Sequence, residues 1–430
     1  MRILVLGSGG REHAIVHALA ASPRVDAIFA APGNGGTAGE RLTTNVAIDP
    51  DDSSAVVAFA SEKDIDLAVI GPEGPLCAGL ADHLRVAGIL TVGPGAEGAQ
   101  LEGSKAFAKS LMERAGIPTA DSRAFTDRAA AAAYIQTHAT PLVVKADGLA
   151  AGKGVTVAET TEQALVAIEE CFDGRFGDAG NIVVVEDFLE GPEVSLLAFV
   201  DGATVLPMAP AQDHKRVGDG DTGPNTGGMG VYSPVPGVTA HQYARMLEIL
   251  EITAHELVES DIGFRGILYG GFVLTAEGPK VLEYNTRFGD PETQVLLPRL
   301  ENDLAEVLLA LAKGELDSLG TLSWGRDVAV SVVIASGGYP GKYSIGKPIG
   351  GIAQASALPG VTIYHAGTTI DGDGTILSAG GRVLNVTATA PDFEQAVARA
   401  YEAVELIAFD GAFCRHDIAH RALDSRQPGA

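Results

Sequence analysis

Apolar runs alternate with helix-like stretches along the chain as far as Gly103. The strand-like runs are RILVLG, VDAIFAAPG, DLAVIGPEG and GILTVGPG, and the helical patterns between them are REHAIVHALAAS, SSAVVAFASEKD and LCAGLADHLRVAG. This alternation predicts a parallel α/β sheet. Ligands of such sheets bind at the carboxyl ends of the strands, which is where the loops GSGG, APGNGG and GPEG fall.

The pattern changes after Gly103. A helix, a glycine-rich pair of strands, a second helix and a strand follow, with the sequences SKAFAKSLMERAG, PLVVK to GVTVA, TEQALVAIEECF and NIVVVEDFLEG. VSLLAFVDGATVLP predicts an antiparallel pair that turns at Asp201 and Gly202. Residues 213–230 predict a long polar loop, and a long helix and two further strands, GILYGGFVLT and PKVLEYNTRFG, come after it.

A third section begins at about Asp327. It contains the strand-like runs VAVSVVIASGGYPG, VTIYHAGTT and GRVLNVTATA and the amphipathic helix DFEQAVARAYEAVELI. We therefore predict an α/β chain, α+β overall, with domains at residues 1–103, 104–326 and 327–425.

Composition and charge exclude several classes of function. The chain has 430 residues, of which 46% are apolar, and a formal net charge of −25. That charge argues against a nucleic-acid partner, since such binding needs a basic surface. Cys77, Cys171 and Cys414 lie far apart, which argues against a zinc site or a disulfide framework. No apolar run is long enough for a bilayer and no signal-peptide pattern opens the chain, so we expect a cytoplasmic protein without a membrane partner.

The stretch VVKADGLAAGKGVTVA is a candidate phosphate-binding loop. It departs from the Walker A motif, because three residues separate Gly148 from Gly152 and Gly154 stands where a hydroxyl residue should follow Lys153. The β-branched flanks predict strand, turn and strand instead. The hairpin could fold over phosphates, with Lys145 on the incoming strand, or it could be an ordinary mobile hairpin.

The opening GSGGREH resembles a dinucleotide-binding fingerprint but has Glu12 where that motif requires glycine. We interpret Gly7, Gly9 and Gly10 as a close backbone approach at a helix N-terminus, which suits phosphate. The alternative is a tight turn between strand and helix that binds nothing.

Three polar side chains are expected on one face of the strand that ends near Arg287. Glu283, Asn285 and Arg287 alternate with Leu282, Tyr284 and Thr286. A carboxylate and an amide oxygen suit Mg²⁺, and the guanidinium suits a carboxylate or phosphate. The alternative is a solvated strand face, but the acids of the following turn, FGDPETQ, favour a function.

The loop DHKRVGDGDTGPNTGGMG does not fit a calcium site. Counting from Asp219 or Asp213, the twelfth position holds Gly230 or Pro224 rather than glutamate. We expect either a substrate loop that orders on binding or a disordered polar loop. No nucleophile–base pair stands out, which fits phosphoryl transfer, where positioning and charge do most of the catalysis.

Taken together, the chain resembles the phosphoribosylamine–glycine ligase family of the ATP-grasp superfamily. The matching segments run in order from Gly7 to about Ala388: GSGGREHA, PGNGGT, GPEGPL, VVKADGLAAGKGV, QDHKRVGDGDTGPNTGGMGVYSP, LEYNTRFGDPETQ, SGGYPG, HAGT and GGRVLNVTA. GPNTGGMG and NTRFGDPETQ are the most specific. Val231 and Asn302 depart from the usual alanine and serine, and neither departure removes a reactive group.

The resemblance implies a reaction and a fold. Glycine, 5-phosphoribosylamine and ATP would give glycinamide ribonucleotide, ADP and phosphate through glycyl phosphate, a step of purine biosynthesis. The body would be an ATP-grasp domain with a mobile lid at about residues 121–190, between a parallel N-terminal domain and a mixed β/α C-terminal domain. We expect a monomer whose contact with the enzyme supplying phosphoribosylamine is at most transient.

The resemblance also implies roles for individual residues. The residues implied for ATP are Lys105, Lys145, Gly148, Gly152, Lys153 and Gly154 at the phosphates, Glu186, Asp187, Phe188 and Leu189 at adenine, and Glu193 at the ribose. Those implied for Mg²⁺ or Mn²⁺ are Glu283 and Asn285. Those implied for the other substrates are Gly9, Gly10, Asn34, Asp213, Lys215, Arg287 and Asp290, with Asp213, Lys215 and Arg287 nearest the chemistry.

Three rival functions stay open at this point. Another ATP-grasp ligase would use a different amine acceptor. A nucleotide-binding sensor would have lost catalysis, which the Glu283–Asn285–Arg287 face argues against. A nicotinamide oxidoreductase is disfavoured by Glu12 and by the missing ribose acid.

Overall fold

A computed structural model describes residues 1–149 and 154–425. The N-terminal section is a five-stranded parallel sheet in the order β3-β2-β1-β4-β5. Its strands are β1 (Arg2–Gly7), β2 (Ala27–Pro32), β3 (Thr43–Asn45), β4 (Leu67–Ile70) and β5 (Leu90–Val92). Its helices are α1 (Gly10–Ala21), α2 (Ser53–Glu62), α3 (Glu73–Cys77), α4 (Leu80–Val86) and α5 (Ala96–Gly103). The predicted parallel sheet is confirmed.

The two faces of β1 explain why its sequence is apolar throughout. Ile3 and Val5 belong to one buried cluster, which also contains Leu19 of α1, whereas Leu4 and Leu6 belong to a second cluster on the opposite face. Because successive side chains point to opposite faces, a strand covered by helices on both sides has to be apolar at every position.

One predicted helix is wrong in its extent. LCAGLADHLRVAG was expected to be a single helix, but the structure divides it between α3 and α4. Gly79 lies at the junction with φ +85° and ψ +19°, in the left-handed region. A residue without Cβ adopts that conformation readily, so Gly79 ends one helix and begins the next.

The second section contains a four-stranded antiparallel sheet and a smaller four-stranded sheet, in the orders β11-β10-β16-β17 and β6-β9-β7-β8. Their elements in chain order are α6 (Lys105–Arg114), β6 (Ser122–Phe125), α7 (Arg128–Gln136), β7 (Leu142–Ala146), β8 (Val155–Ala158), α8 (Thr161–Glu170), β9 (Val183–Asp187), β10 (Glu193–Asp201) and β11 (Thr204–Pro207). β7 and β8 pair antiparallel, as the flanks of the glycine-rich turn predicted. The rest of that turn, residues 150–153, lies outside the described residues.

Residues 213–230 are more ordered than expected. The structure places β12 (Gln212–Asp213), β13 (Arg216–Gly218), β14 (Thr222–Asn225) and β15 (Gly230–Ser233) here, and β13 pairs with β14 as a short hairpin. The prediction of a loop without structure of its own is therefore wrong. Its strands are short and polar, so they carry no alternating pattern that sequence reasoning could detect.

The remaining elements complete the antiparallel sheet and build the C-terminal section. They are α9 (Ala240–Glu259), β16 (Arg265–Thr275), β17 (Gly278–Asn285), α10 (Thr293–Leu296), α11 (Leu304–Lys313), β18 (Val328–Ser336), α12 (Ile352–Ser356), β19 (Val361–His365), β20 (Thr368–Ile370), β21 (Ile376–Ser378), β22 (Arg382–Ala390), α13 (Phe393–Leu406), β23 (Ala412–Phe413) and α14 (His420–Asp424). Throughout the described parts of the chain, every helix is too short or too polar to cross a membrane.

The C-terminal sheet draws strands from two sections. Its order is β12-β15-β18-β22-β19, with β23 also paired to β18. Hydrogen bonds between β15 and β18 therefore link the second section to the third, and the division of the chain at residues 103/104 and 326/327 stays a prediction. The overall α/β class, with a parallel N-terminal sheet and antiparallel sheets beyond it, is confirmed.

Helix α1 packs tightly against the C-terminal section through a glycine. A Cβ added at Gly10 would overlap the side-chain amide of Asn385 and lie 2.6 Å from Nε2 of Gln294. Both amides are buried. Gly10 is therefore a packing residue between α1, α10 and β22, whatever else it does.

We expect Gly10→Ala to lower the free energy of unfolding by about 1–3 kcal/mol, because two buried amides would have to move. Gly39→Ala is the matched control, since a Cβ there meets no described atom within 4 Å. Urea unfolding of both variants measures the difference. Equal stability of the two variants would contradict the packing role.

Candidate functional site

A single cleft of about 810 Å³ brings most of the predicted site residues together. This volume is in the range of small-molecule sites. The predicted residues that line it are Gly9, Lys105, Lys145, Gly148, Gly154, Glu186, Asp213, Lys215, Glu283, Asn285, Arg287 and Asp290. The predicted residues Gly152 and Lys153 lie outside the described residues.

At one end of the cleft, two lysines share one carboxylate. Lys145 Nζ on β7 lies 2.8 Å from Glu186 Oε2 on β9, and Lys109 Nζ on α6 lies 3.4 Å from Oε1. Lys145 also donates to the carbonyl oxygen of Leu282, at 3.3 Å. Burial lowers the pKa of Lys109 to about 8, although Glu186 works against that shift. Two cations with one shared counter-charge leave this end suited to an anion.

Lys105 stands beside the described base of the glycine-rich turn. Its Nζ donates to the carbonyl oxygen of Gly148 at 2.9 Å. Asp147 ties the same turn to the start of α6, because its Oδ1 accepts from the backbone N–H of Ala106 at 3.0 Å and its carboxylate accepts from Ser104 Oγ. These contacts hold the hairpin and the N-terminal turn of α6 next to each other.

The proposed metal ligands lie at the end of β17. A β-bulge between Gly271 and Phe272 of β16 interrupts the pairing, with Val281 and Tyr284 both facing the core. Strict alternation along this strand was therefore a wrong expectation, and Leu282 lines the cleft together with Glu283 and Asn285. The bulge at Leu282 lets the adjacent residues Leu282 and Glu283 both reach the cavity that Asn285 also lines.

Cations surround the carboxylate of Glu283. Burial by itself would raise its pKa, but Lys215, Lys145, Lys105 and Arg287 together hold the pKa below its usual value. Glu283 is therefore ionised. With the amide oxygen of Asn285 it offers two hard oxygen donors. Within the described residues there is no cluster of three His, Cys, Asp or Glu side chains, so a cation here would need further ligands from substrate or water.

Arg287 is held by carboxylates of the N-terminal section. Its Nη2 lies 2.8 Å from Glu102 Oε1 and donates to Asn285 Oδ1 at 3.2 Å, and its Nε lies 3.5 Å from Glu73 Oε2. Burial opposes the charge, but Glu102 and Glu73 raise the pKa of the guanidinium above its ordinary value. The guanidinium of Arg287 thus contacts the carboxylates of Glu102 and Glu73 and orients the amide of Asn285.

A second group of polar side chains surrounds Lys215. Its Nζ lies 3.3 Å from Asp213 Oδ2. Burial disfavours the ammonium, but Asp213 and neighbouring acids raise its pKa well above the usual value. Tyr269 donates to Glu292 Oε1 at 2.9 Å and shares a 2.7 Å hydrogen bond with Ser195. Burial and Asp213 raise the pKa of Glu292.

Gly9 and the carboxylates of Glu12 and Asp290 line the part of the cleft that lies at the N-terminal section. The N–H of Gly9 donates to Glu12 Oε2 at 2.6 Å, so a carboxylate of the chain itself accepts the first free N–H of α1. Asp290 Oδ2 pairs with Arg382 Nη2 at 3.1 Å, and Asp290 Oδ1 accepts from Gln294 at 2.7 Å. Asp290 and Arg382 both line the cleft.

Several predicted residues lie away from the cleft wall. Asn34 donates to carbonyl oxygens of Ser8 and His365, and its Oδ1 accepts from the backbone of Gly36 and Thr37. It acts as an internal link between sections. The other predicted residues outside the lining are Gly10, Asp187, Phe188, Leu189 and Glu193. Their roles stay predictions.

Sequence reasoning missed several residues that the structure places in the cleft. Lys109 could have been found, because it follows Lys105 by four residues on one helix face. Glu292 and Arg382 lie inside quoted motifs but were not given roles. Tyr269 and Glu102 carried no signal, since each sits in an ordinary strand or helix pattern.

Comparison with known proteins covers nearly the whole chain. Models described as the N domain, the ATP-grasp (A) domain and the C domain of phosphoribosylglycinamide synthetase match residues 1–102, 103–293 and 329–421. A phosphoribosylamine–glycine ligase of Agrobacterium fabrum is 51% identical over 98% of this chain and 99% of its own length. A chloroplastic relative of Arabidopsis thaliana with the same activity name is 50% identical over 97% of this chain and 79% of its own length.

Solved structures agree with this result. The crystal structure of a phosphoribosylamine–glycine ligase from Thermotoga maritima superposes with a TM-score of 0.84 at 32% identity, over 97% of this chain and all of that one. The biotin carboxylase domain of a Hydrogenobacter thermophilus 2-oxoglutarate carboxylase gives 0.75 at 18% identity, over 96% of this chain and 91% of that one, and shows a shared fold only.

We expect Glu186→Gln to lower the free energy of unfolding by about 3–5 kcal/mol, because the buried Lys145 and the partly buried Lys109 would lose their shared counter-charge. The pKa of Lys109 is below its unfolded value, so the unfolded chain binds more protons between the two pKa values and stability rises with pH there. Removal of Glu186 would lower this pKa further, because that carboxylate raises it, so the variant should recover part of its loss relative to the parent protein as the pH rises toward about 8.

Urea unfolding across that pH range measures both effects. Glu62→Gln is the matched control, since Glu62 lies at the same 2.8 Å from Lys63 but on the surface. It should change stability little, because exposed ion pairs contribute little. A loss for Glu186→Gln no larger than that of the control would contradict the shared counter-charge.

Proposed function

Because this chain belongs to the phosphoribosylglycinamide synthetase family, we propose that the cleft residues described above activate glycine with ATP and pass it to the amine of 5-phosphoribosylamine. The chain is an ATP-dependent ligase of de novo purine biosynthesis. The resemblance found in the sequence is confirmed. The residue roles that follow are our proposal.

The lysine end of the cleft is where we place the triphosphate of ATP. Lys105, Lys109 and Lys145 converge there, and Glu186 neutralises only part of their charge. Phosphates would add the missing negative charge, and Gly148 and Gly154 bring the backbone of the hairpin to the same place. Asp187, Phe188 and Leu189 continue from β9, so we propose the backbone beyond this strand for adenine and Glu193 for the ribose.

Glu283 and Asn285 are the residues that would hold a divalent cation, which we propose to be Mg²⁺. Their donor set fits: an ionised carboxylate and an amide oxygen, with remaining positions for phosphate and water. Bound there, the cation would neutralise charge on the phosphates during transfer. Arg287 keeps the amide of Asn285 in place through its 3.2 Å hydrogen bond.

We place the two chemical steps of the reaction in the part of the cleft that contains Asp213 and Lys215. The glycine carboxylate attacks the γ-phosphorus and ADP leaves. The amine of phosphoribosylamine then attacks the carbonyl carbon of glycyl phosphate, phosphate leaves, and the nitrogen loses a proton. We propose that Asp213, paired with Lys215, takes this proton, and that Gly9 and Asp290 line the place of phosphoribosylamine.

One observation carries this assignment. Glu283 lines the cleft together with the lysines of one end and with the Asp213–Lys215 pair, and cations of both groups lower its pKa. A nucleotide and an amine acceptor bound at the two ends would therefore meet at the same carboxylate. That arrangement is what transfer from ATP to a carboxylate and then to an amine requires.

The test of the reaction is ADP release with magnesium, ATP and glycine, with and without phosphoribosylamine generated in situ. We expect release that depends on all three substrates and a product that contains the mass of glycine. ADP release with a different amine in place of phosphoribosylamine would identify another ATP-grasp ligase. ATP binding without turnover would identify a sensor.

We expect Glu283→Gln to lower kcat by at least about a hundredfold, because the cation would lose the charged one of its two proposed protein ligands, in a variant that still folds. Initial rates at several magnesium concentrations measure this, with the exposed Glu301→Gln as control. Activity near that of the parent protein at limiting magnesium would contradict the assignment.

A further inference from the structure

The hairpin of β13 and β14 reaches the cleft at both ends but has little stability of its own. Two residue pairs join its strands, Arg216 with Asn225 and Gly218 with Thr222, and the carbonyl oxygen of Lys215 accepts from the backbone N–H of Thr226 at 2.7 Å where the hairpin begins. All residues of both strands are at least partly exposed. Lys215 precedes the hairpin, and residues 225–227 follow it along the cleft wall. The base of the hairpin continues into the pairing of β12 with β15, but a short two-stranded hairpin is marginally stable, so contacts from elsewhere are needed to hold its tip.

The tip of the hairpin has an unusual backbone. Gly220, Asp221 and Gly223 all have positive φ, of +63°, +54° and +79°. Two of these are glycines, which adopt such values readily, but Asp221 is not. A left-handed conformation is unfavourable for a residue with Cβ, so the side-chain contacts of Asp221 are expected to maintain it.

Both carboxylate oxygens of Asp221 meet arginines from the end of the chain. Arg415 Nη1 donates to Asp221 Oδ1 at 2.9 Å and also to the carbonyl oxygen of Arg216 at 3.1 Å. Arg421 Nη2 donates to Asp221 Oδ2. Arg415 is fully buried although it carries a charge. A buried guanidinium with these partners couples the hairpin to the C-terminal segment.

Further hydrogen bonds hold Arg415 in place. Asp417 binds Arg415 in bidentate fashion, at 2.8 Å to Nε and 2.7 Å to Nη2, and also accepts the N–H of Gly220 at 2.9 Å. Tyr401 of α13 donates to the carbonyl oxygen of Arg415 and accepts from the N–H of Ile418. Arg415, Asp417 and Arg421 lie in the segment that follows α13, and we name these three residues the C-terminal anchor.

We propose that the C-terminal anchor positions Lys215 for phosphoribosylamine by fixing the hairpin that follows it, whereas Asp213 is held by the pairing of β12 with β15. The anchor residues lie outside the cleft lining and touch no reacting atom, so they are positioning residues. This inference rests on the proposed function, because it takes Lys215 to act on that substrate. Asp219 adds a further contact with the same segment, because its Oδ1 accepts from the backbone N–H of His416 at 2.8 Å.

The experiment compares Asp221→Asn with Asp410→Asn. Asp410 is a matched control because it also makes an ion pair within the C-terminal section, at 2.7 Å to Lys347. Neither residue of that pair belongs to the hairpin. Asp221 is partly exposed, so the variant should fold. Arg415→Lys is the second variant, which keeps the charge but loses the planar fork that reaches Asp417 and Asp221 together.

We expect kcat/KM for phosphoribosylamine to fall about tenfold in Asp221→Asn, while KM for ATP changes less than about twofold and the thermal midpoint stays close to that of Asp410→Asn. Arg415→Lys should shift the same parameter in the same direction. Hydrogen exchange of residues 216–225 should become faster in both variants and stay unchanged in the control.

Two results would overturn the inference: unchanged kcat/KM for phosphoribosylamine, or an equal loss for all three substrates together with a lower thermal midpoint. Lys215→Met separates this failure from a failure of the proposed function. If Lys215→Met leaves kcat/KM for phosphoribosylamine unchanged, the assignment of the cleft fails. If it lowers that parameter while Asp221→Asn does not, only the C-terminal anchor fails.

Discussion

The cleft depends on the carboxylate of Glu186, which the buried Lys145 and the partly buried Lys109 share. Lys145 extends from β7 and Lys109 from α6, and the ammonium of Lys145 also reaches the carbonyl oxygen of Leu282 on β17. One small set of contacts therefore joins the smaller sheet, a helix and the larger sheet around the same charges. Cations removed from water need counter-charges nearby. Glu186 therefore helps to fix the positions of the helix and of the two sheets relative to one another. The surplus of positive charge is what phosphates can neutralise.

Charge is divided along the cleft in a protein that is strongly acidic overall, with a formal net charge of −25. Lysines dominate one end. Elsewhere the cleft contains Asp213 and Glu292 near Lys215, and Asp290 paired with Arg382. Glu283 lies under the influence of cations from both directions, which keeps it ionised despite its burial. Local arrangement, and not net charge, therefore decides what the site can bind. An anion at one end and an amine at the other are both compatible with this pattern.

Most of the fold could be predicted because its strands and helices bury continuous apolar faces. β1 is apolar on both faces, and the flanks of the glycine-rich turn alternate as strands do, which separated it from a Walker loop. The errors occur where the backbone departs from regular periodicity. Gly79 splits a helix, and a bulge beside Leu282 breaks the alternation of β17. Neither event changes hydrophobic composition, so periodicity could not reveal it.

The candidate site was predictable as a set of motifs but not as a set of contacts. Gly9 was expected to offer its N–H to a ligand, whereas Glu12 accepts it, and Gly10 packs against Asn385 from the far end of the chain. Glycine in a motif shows that something approaches the backbone closely, but not whether that neighbour is substrate or protein. The same holds for Arg287, whose fork faces acids of the N-terminal section. Residues of the binding motifs thus also make the contacts within the protein that shape the cleft.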